Sequence, residues 1–190
     1  LSVGDDCAVT ELNRNQHLAI TTDTMVEGVH FLPSIRPADL AYKAVASNLS
    51  DLAAMGAEPA WMSLALTIPS IDHAWLTEFS ESFFSILDHY NVDLIGGDTT
   101  KGPLSITITA QGIIAKDKAL CRHNANVGDW IYVSGTLGDS AGGLSYLLQG
   151  KSAVNSAQEF LIHRHLRPTP RVLLGMALSL TRLASSAIDI

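Results

Sequence analysis

The chain has few of the residues that mark several special classes of protein. Only two of its 190 residues are cysteine, which argues against a disulfide framework at this length. Lysine and arginine number 12 against 19 acidic residues, and the net charge of −7 argues against nucleic acid as a partner, because polyanions bind basic surfaces. No apolar run approaches the roughly 18 residues that cross a bilayer, and the N-terminus lacks a signal-peptide pattern. We therefore expect a globular cytoplasmic protein.

Both ends of the chain have the character of internal sequence. The chain begins at Leu1 without Met, and it stops in the strand-like run Ala187–Ile190 with no turn after it. A length of 190 residues accommodates one full domain and part of another. We therefore expect a fragment of a longer protein, with a truncated second domain.

Hydrophobic periodicity predicts alternating strands and helices, with Gly56 ending the first helix and Asp72 as the N-cap of the second. The predicted strands are 17–23, 61–67, 92–95, 104–112 and 130–134, and the predicted helices are 37–55, 72–90, 138–149, 157–165 and 171–183. This order favours an α/β fold, here an α+β mixed sheet with flanking helices, over residues 1–115. Residues 116–190 would be the incomplete start of a second α/β domain.

Four acidic sites fall where α/β proteins place ligand-binding groups. Asp6 lies in a glycine turn, Asp23 ends a predicted strand, Asp98 follows paired glycines at the end of another, and Asp51 lies on the first long helix. Such oxygen ligands suit Mg²⁺, and without a metal their mutual repulsion would raise at least one carboxyl pKa. Each Asp taken alone is more simply explained as a turn residue or a helix cap. Spacing alone does not show that the four converge.

Three other patterns carry weaker indications. Gly150-Lys151-Ser152 imitates the end of a phosphate-binding P-loop, but Ser145 stands where that loop needs glycine, so we reject it. The residues His163 and His165 are two apart on a predicted helix and therefore face different directions. The glycine-rich run 135–143 could approach a phosphate, although close helix packing explains its glycines equally well.

Five stretches of the chain occur together in one order and spacing. They are Gly4–Ala8, Thr21–Phe31, Asn48–Ala57, Gly96–Thr100 and Ala187–Asp189, and Arg122, Pro168 and Arg171 fit the same pattern. In this combination they resemble the thiamine-monophosphate kinase family, of the superfamily that includes aminoimidazole ribonucleotide synthetase and selenophosphate synthetase. The resemblance covers essentially the whole chain.

The resemblance implies direct transfer of the γ-phosphoryl group of ATP to thiamine monophosphate, giving thiamine diphosphate without a covalent nucleophile. It implies that several Mg²⁺ ions are held by Asp6, Thr21, Thr22, Asp23, Asp51, Asp98 and Asp189. It also implies ATP contacts from Gly97, Asp98 and Arg122 and a contact of His30 with the thiamine phosphate. Bound metal would reconcile an acidic chain with anionic substrates. The resemblance further implies a homodimer through the N-terminal domains, and strands such as 104–112 would otherwise leave open edges.

Two alternatives remain beside this interpretation. Another ATP-dependent superfamily member, such as selenophosphate synthetase, usually carries a reactive cysteine in a glycine-rich N-terminal segment, whereas Cys7 here directly follows Asp6 as in the kinase pattern. The alternative of a different class is a non-catalytic dimerisation or nucleotide-binding module. In the kinase family the run Ala187–Ile190 continues into further metal and nucleotide contacts, so we expect the 190-residue chain to be inactive or nearly so.

Overall fold

A computed structural model of the protein describes residues 11–150 and 152–190, so the stretch Gly4–Ala8, including Asp6, lies outside the described residues. The elements are β1 (Gln16–Val26), α1 (Pro37–Met55), β2 (Glu58–Ile68), α2 (His73–Tyr90), β3 (Asp93–Lys101), β4 (Ser105–Ala115), a 3₁₀ turn (Arg122–Asn124), α3 (Asp139–Leu148), α4 (Ser156–Leu166) and α5 (Val172–Thr181). In the described part of the chain, no helix is long and apolar enough to span a membrane.

The strands form one mixed sheet in the order β1-β4-β2-β3. The strand β4 runs antiparallel to both of its neighbours, and β3 runs parallel to β2. The predicted alternation in β4 is confirmed: Ile106, Ile108 and Ala110 are buried, and the threonines between them point to the other face. The expectation that β4 leaves an open edge is wrong, because its ladder is paired on both sides. The outer strands are β1 and β3.

The helix α1 packs against the sheet and also contacts α2, α4 and α5, which is why more than one of its sides is buried. Pro37 occupies its first turn, and Gly56 closes it in a left-handed conformation with φ of 73°, as the sequence predicted. Leu40, Leu49 and Leu52 are each almost fully buried. Burial of one such side chain contributes about 1.5–3 kcal/mol. This helix therefore lies at the centre of the core, and it fixes the position of any side chain that it directs at β1.

The predicted N-cap and aromatic stripe of α2 are both confirmed. The Asp72 carboxylate accepts hydrogen bonds from the backbone N–H groups of Ala74 and Trp75, at 2.9 and 3.2 Å. The rings of Trp75, Phe79 and Phe83 stack in succession, with centroid distances of 5.0 and 5.9 Å. The stripe packs α2 against α1 and the sheet.

Three local predictions are wrong. Asp23 and Asp98 do not lie at strand ends but inside β1 and β3, because pairing with β4 and β2 extends both strands beyond their apolar segments. Residues 130–134 form no strand, since no described segment pairs with them, and the side chains of Trp130 and Ile131 are 85% and 94% exposed. Their continuous run of apolar and aromatic residues is compatible with a strand but cannot supply the hydrogen-bonding partner that a strand needs.

The residues after β4 include three helices, of which α4 and α5 contact α1. α3 packs on α4, and α5 packs on the C-terminal half of α1 at Gly175, where any side chain would collide with the carbonyl group of Ala53. The hydroxyl of Ser179 donates a 2.7 Å hydrogen bond to the Lys118 carbonyl. These contacts hold α5 against α1, so that the segment after α5 passes α1 towards β1. The division into domains 1–115 and 116–190 stays a prediction.

Candidate functional site

The face of β1 that meets α1 carries the first pair of site residues. Thr21 lies on this face, and its hydroxyl donates a 2.6 Å hydrogen bond to the Asp51 carboxylate on α1. One turn earlier on α1, the buried Asn48 donates to the Ala44 carbonyl at 3.0 Å, while its own side-chain oxygen has no partner among the described residues. The three-residue spacing of Asn48 and Asp51 thus directs two polar groups at the sheet, as expected for one helical face.

Asp23 joins this pair from the same face of β1, two residues beyond Thr21. Burial raises the pKa of the Asp23 carboxyl, the negative charge of Asp51 raises it further, and nearby His30 opposes the shift. The His30 ring is held by a 3.1 Å hydrogen bond from the Val26 backbone N–H to its Nδ1 atom. Asp23 therefore lies within the electrostatic reach of both a carboxylate and an imidazole.

A third carboxylate comes from the segment that follows α5. The pKa of Asp189 is raised by partial burial, then by the charge of Asp51, by a hydrogen bond to Asp51 and by the charge of Asp23. Three carboxylates from β1, α1 and the C-terminal segment therefore share one environment. Raised pKa values are what the sequence argument expected of carboxylates gathered without a cation.

The chemistry of these groups fits a hard divalent cation. Carboxylates and a threonine hydroxyl are oxygen ligands of the kind that Mg²⁺ prefers. Within residues 11–150 and 152–190, however, no three acidic, imidazole or thiol side chains lie close enough together to ligate one ion directly. Electrostatic coupling extends further than a ligand bond, so the two observations are compatible. The carboxylates form a charged cluster but not a completed coordination shell.

Asp98 lies apart from this cluster within the single chain. It pairs with Ala65, in the cross-strand row that contains Thr107 and Thr24, and it is exposed. Three strand spacings separate β3 from β1, or about 14 Å. That row points away from α1, so the register places Asp98 on the face opposite Asp23. The metal-binding role expected of Asp98 stays a prediction.

Gly97 lies beside Leu64 in β2, and the backbone there excludes any larger residue. Its φ angle is 153°, and a side chain would collide with the backbone carbonyl of Leu64. The glycine is thus needed for close approach of β3 to β2 at the row that continues through Ile108 to Asp23. The expected nucleotide contact of Gly97 stays a prediction.

The structure separates Thr22 from Thr21. Adjacent residues of a strand point to opposite faces, and the Thr22 hydroxyl lies 3.0 Å from that of Thr109 on the side away from α1. Arg122 is exposed in the 3₁₀ turn, and its carbonyl accepts a 3.0 Å hydrogen bond from the Ser186 hydroxyl. The fold therefore brings Thr21, but not Thr22, to the carboxylate cluster.

Sequence reasoning did not single out the residues that hold the segment bearing Asp189. The Asp129 carboxylate accepts a hydrogen bond from Ser185, four residues before Asp189. The turn formed by Gly128 and Asp129 was the available indication, because aspartate in a turn commonly accepts local hydrogen bonds. Its partner in the C-terminal segment could not be read from local pattern.

The model of one family, described as AIR synthase related protein, N-terminal domain, matches residues 4–114. The chain belongs to the AIR synthase related family. This family member is 64% identical over 190 residues to the thiamine-monophosphate kinase of Haemophilus influenzae, a match that covers 100% of the chain and 57% of the relative. The chain thus spans a little over half the length of that relative.

Two solved structures extend the comparison. The thiamine-monophosphate kinase from Stenotrophomonas maltophilia K279a matches with a TM-score of 0.92 at 46% identity, over 100% of this AIR synthase related chain and 61% of that chain. AaThiL, solved in complex with AMPPCP and TMP, matches with a TM-score of 0.85 at 32% identity, over 93% of this chain and 56% of that chain. The expected fold, a mixed sheet with flanking helices, is confirmed.

Proposed function

We propose that the chain is part of an ATP-dependent thiamine-monophosphate kinase, which transfers the γ-phosphoryl group of ATP to thiamine monophosphate and yields thiamine diphosphate. The convergence of Asp23, Asp51 and Asp189 is the observation that carries the proposal, because an acidic cluster binds two anionic substrates only through cations. The named relatives and the AMPPCP and TMP complex of AaThiL support it. The reaction belongs to thiamine biosynthesis and would take place in the cytoplasm.

The proposed reaction needs positioned groups and charge neutralisation more than a covalent nucleophile. Asp23, Asp51 and Asp189 would hold Mg²⁺, together with Thr21 and Asp6, and the bound ions would neutralise the charge of the phosphates. Thr21 fixes the orientation of the Asp51 carboxylate through its 2.6 Å hydrogen bond. That bond engages one oxygen of Asp51, and the other oxygen would serve as the metal ligand.

His30 would contact the thiamine phosphate, and a hydrogen bond within its own loop fixes its ring. Its Nδ1 accepts the Val26 N–H, so the proton of the neutral ring lies on Nε2. Nε2 can then donate to an oxygen of the thiamine phosphate, next to Asp23. Gly28, with φ of 76°, makes the turn that returns this loop to the site.

Gly97, Asp98 and Arg122 would serve the nucleotide. Arg122 is exposed and presents a planar guanidinium, a geometry suited to phosphate oxygens. Asp98 would contribute a further metal ligand if a second chain or a bound nucleotide spans the distance to the cluster. These three roles rest on the family resemblance.

A homodimer is proposed through the sheet face that points away from α1. Threonine hydroxyls pair across this face, at 3.0 Å for Thr22 with Thr109 and 2.8 Å for Thr24 with Thr107. Ile20 lies on the same face and is 60% exposed. A sheet covered on one face only commonly buries its other face against a partner.

A nucleotide-binding module without turnover is the second candidate. One observation favours it: in the described part of the chain, no three potential ligands are already placed around one ion. Such a module would bind ATP with Mg²⁺ but form no thiamine diphosphate.

The decisive test incubates ATP, Mg²⁺ and thiamine monophosphate with two proteins and measures thiamine diphosphate by chromatography. The proteins are the 190-residue chain and the same chain extended to the length of its relatives. We expect the extended chain to form product, the 190-residue chain to form little or none, and chelation of Mg²⁺ to abolish the activity. Failure of the extended chain to form product while it binds ATP would support the second candidate instead.

A further inference from the structure

The segment that carries Asp189 has no regular structure of its own. Residues 183–190 form neither helix nor strand, and Ile188 and Ile190 are exposed. The Asp189 carboxylate nevertheless lies within the electrostatic reach of Asp51 and Asp23, although the like charges oppose that approach. Some other contact must therefore hold the segment in place.

Two consecutive serines provide that contact. The Ser185 hydroxyl donates to Oδ2 of Asp129 at 2.5 Å, and the Ser186 hydroxyl donates to the Arg122 carbonyl at 3.0 Å. A hydrogen bond to an ionised acceptor is roughly twice as strong as one between neutral groups. The bond to Asp129 is thus the stronger of the two.

Asp129 is itself fixed by a closed turn. The Asn126 backbone N–H donates to Oδ2 of Asp129 at 2.9 Å, and the Asp129 N–H donates back to the Asn126 carbonyl at 3.1 Å. These donors lower the pKa of Asp129, with Ser185 making the largest contribution. The turn with Asn126 therefore orients the Asp129 carboxylate, and its lowered pKa keeps it ionised as the acceptor for Ser185.

We propose that Asp129 is a positioning residue, which acts through Ser185 to hold the segment 185–189 so that the Asp189 carboxylate meets Asp51. This inference rests on the proposed function only in assigning the carboxylate cluster to a metal. The anchor opposes the repulsion between Asp189 and the other carboxylates while no cation is bound. It keeps the third ligand near the site and thereby lowers the entropic cost of completing the coordination shell.

The test measures Mn²⁺ binding to the 190-residue chain by electron paramagnetic resonance, with Mn²⁺ as the probe for Mg²⁺. We expect Asp129→Ala and Ser185→Ala to weaken binding about 10-fold or more, the range seen when groups that orient ligands are removed. Ser185→Thr keeps the hydroxyl and should retain affinity close to that of the unchanged chain. The matched control is Asp88→Ala, because the exposed Asp88 carboxylate makes no hydrogen bond or ion pair within the described residues.

Amide hydrogen exchange at residues 187–189 tests whether the segment is anchored, independently of metal binding. Asp129→Ala and Ser185→Ala should speed exchange there, with thermal midpoints close to that of the control. Unchanged exchange would overturn the proposal, and so would unchanged Mn²⁺ affinity in a chain that binds the ion. If the unchanged chain binds no Mn²⁺ but the exchange result holds, the anchor stands and the metal-dependent function fails.

Discussion

Asp51 is the residue that the other site residues share. It accepts a hydrogen bond from Thr21, and its charge raises the pKa of both Asp23 and Asp189. Its carboxylate therefore destabilises the metal-free chain and would stabilise the metal-bound one. Nearby like charges and a bound cation have opposite effects on the same group.

The variant Asp51→Asn separates these two effects. The amide oxygen can still accept from Thr21, so we expect the metal-free chain to keep its stability or gain up to about 1 kcal/mol as the repulsion disappears. Mg²⁺ should then raise the thermal midpoint of the unchanged chain but not that of the variant. Differential scanning calorimetry with and without Mg²⁺ checks this, and Asp88→Asn is the control. An equal Mg²⁺ effect on both chains would contradict the assignment.

At this scale the sequence indicated ligand types better than ligand positions. Oxygen-bearing side chains near glycines and strands pointed to a hard cation, but only the family resemblance selected Asp189. Thr21 and Thr22 were indistinguishable in sequence, whereas strand alternation directs them to opposite faces. Convergence depends on which strands pair and in which register, and that information is not local.

Among the elements, helices were predicted more accurately than strands. Gly56 and Asp72 mark helix boundaries through interactions within a few residues, so their roles can be read from sequence. The extents of β1 and β3 depend on ladders with distant strands, which is why Asp23 and Asp98 were wrongly placed at strand ends. Residues 130–134 had a strand pattern but no partner in the described part of the chain.

The packing of α5 against α1 leads to a prediction about Gly175. A side chain there would collide with the carbonyl group of Ala53, so we expect Gly175→Ala to destabilise the chain by about 1–3 kcal/mol. Gly142→Ala on α3 is the matched control, because its added carbon would meet Leu161 at an ordinary 3.4 Å and helix propensity favours alanine. Urea unfolding measures both, and equal stabilities would contradict the packing described.

A half-buried histidine on α4 lies between side chains of α1 and α3. The Lys43 ammonium lies 3.3 Å from Nε2 of His165, and the Ser140 hydroxyl lies 3.0 Å from Nδ1. Burial lowers the pKa of His165, Lys43 lowers it further, and Ser140 opposes the shift. Protonation would place an N–H of the ring against the ammonium group.

The stability of the chain should therefore depend on pH through His165. Between its lowered folded pKa and the ordinary value of 6.5, the unfolded chain binds more protons, so stability falls as the pH falls through this window. Above about pH 6.5 the contribution is fully present. His165→Gln should flatten the profile, and the exposed His163→Gln should not. Identical profiles for the two variants, measured by chemical unfolding from pH 5 to 8, would refute the prediction.

At the scale of the whole molecule, the helices of the described residues leave one face of the sheet uncovered. This face carries Ile20 and paired threonines, and we expect it to bury itself against a second chain. Thr107→Arg introduces a long charged side chain there and should convert a dimer into a monomer at the same concentration. Ser85→Arg, at an exposed position of α2, should leave the dimer intact. Light scattering measures the mass, and a monomeric unchanged chain would contradict the expectation.

The account as a whole depends on carboxylates that recruit anionic substrates through Mg²⁺. The most direct measurement is calorimetric titration of the 190-residue chain with a non-hydrolysable ATP analogue, with and without Mg²⁺, for the unchanged chain and Asp51→Asn. The account predicts that the analogue binds to the unchanged chain only when Mg²⁺ is present. It also predicts that the affinity of Asp51→Asn for the analogue is at least 10-fold lower. Equal binding without Mg²⁺, or equal binding by the variant, would contradict it.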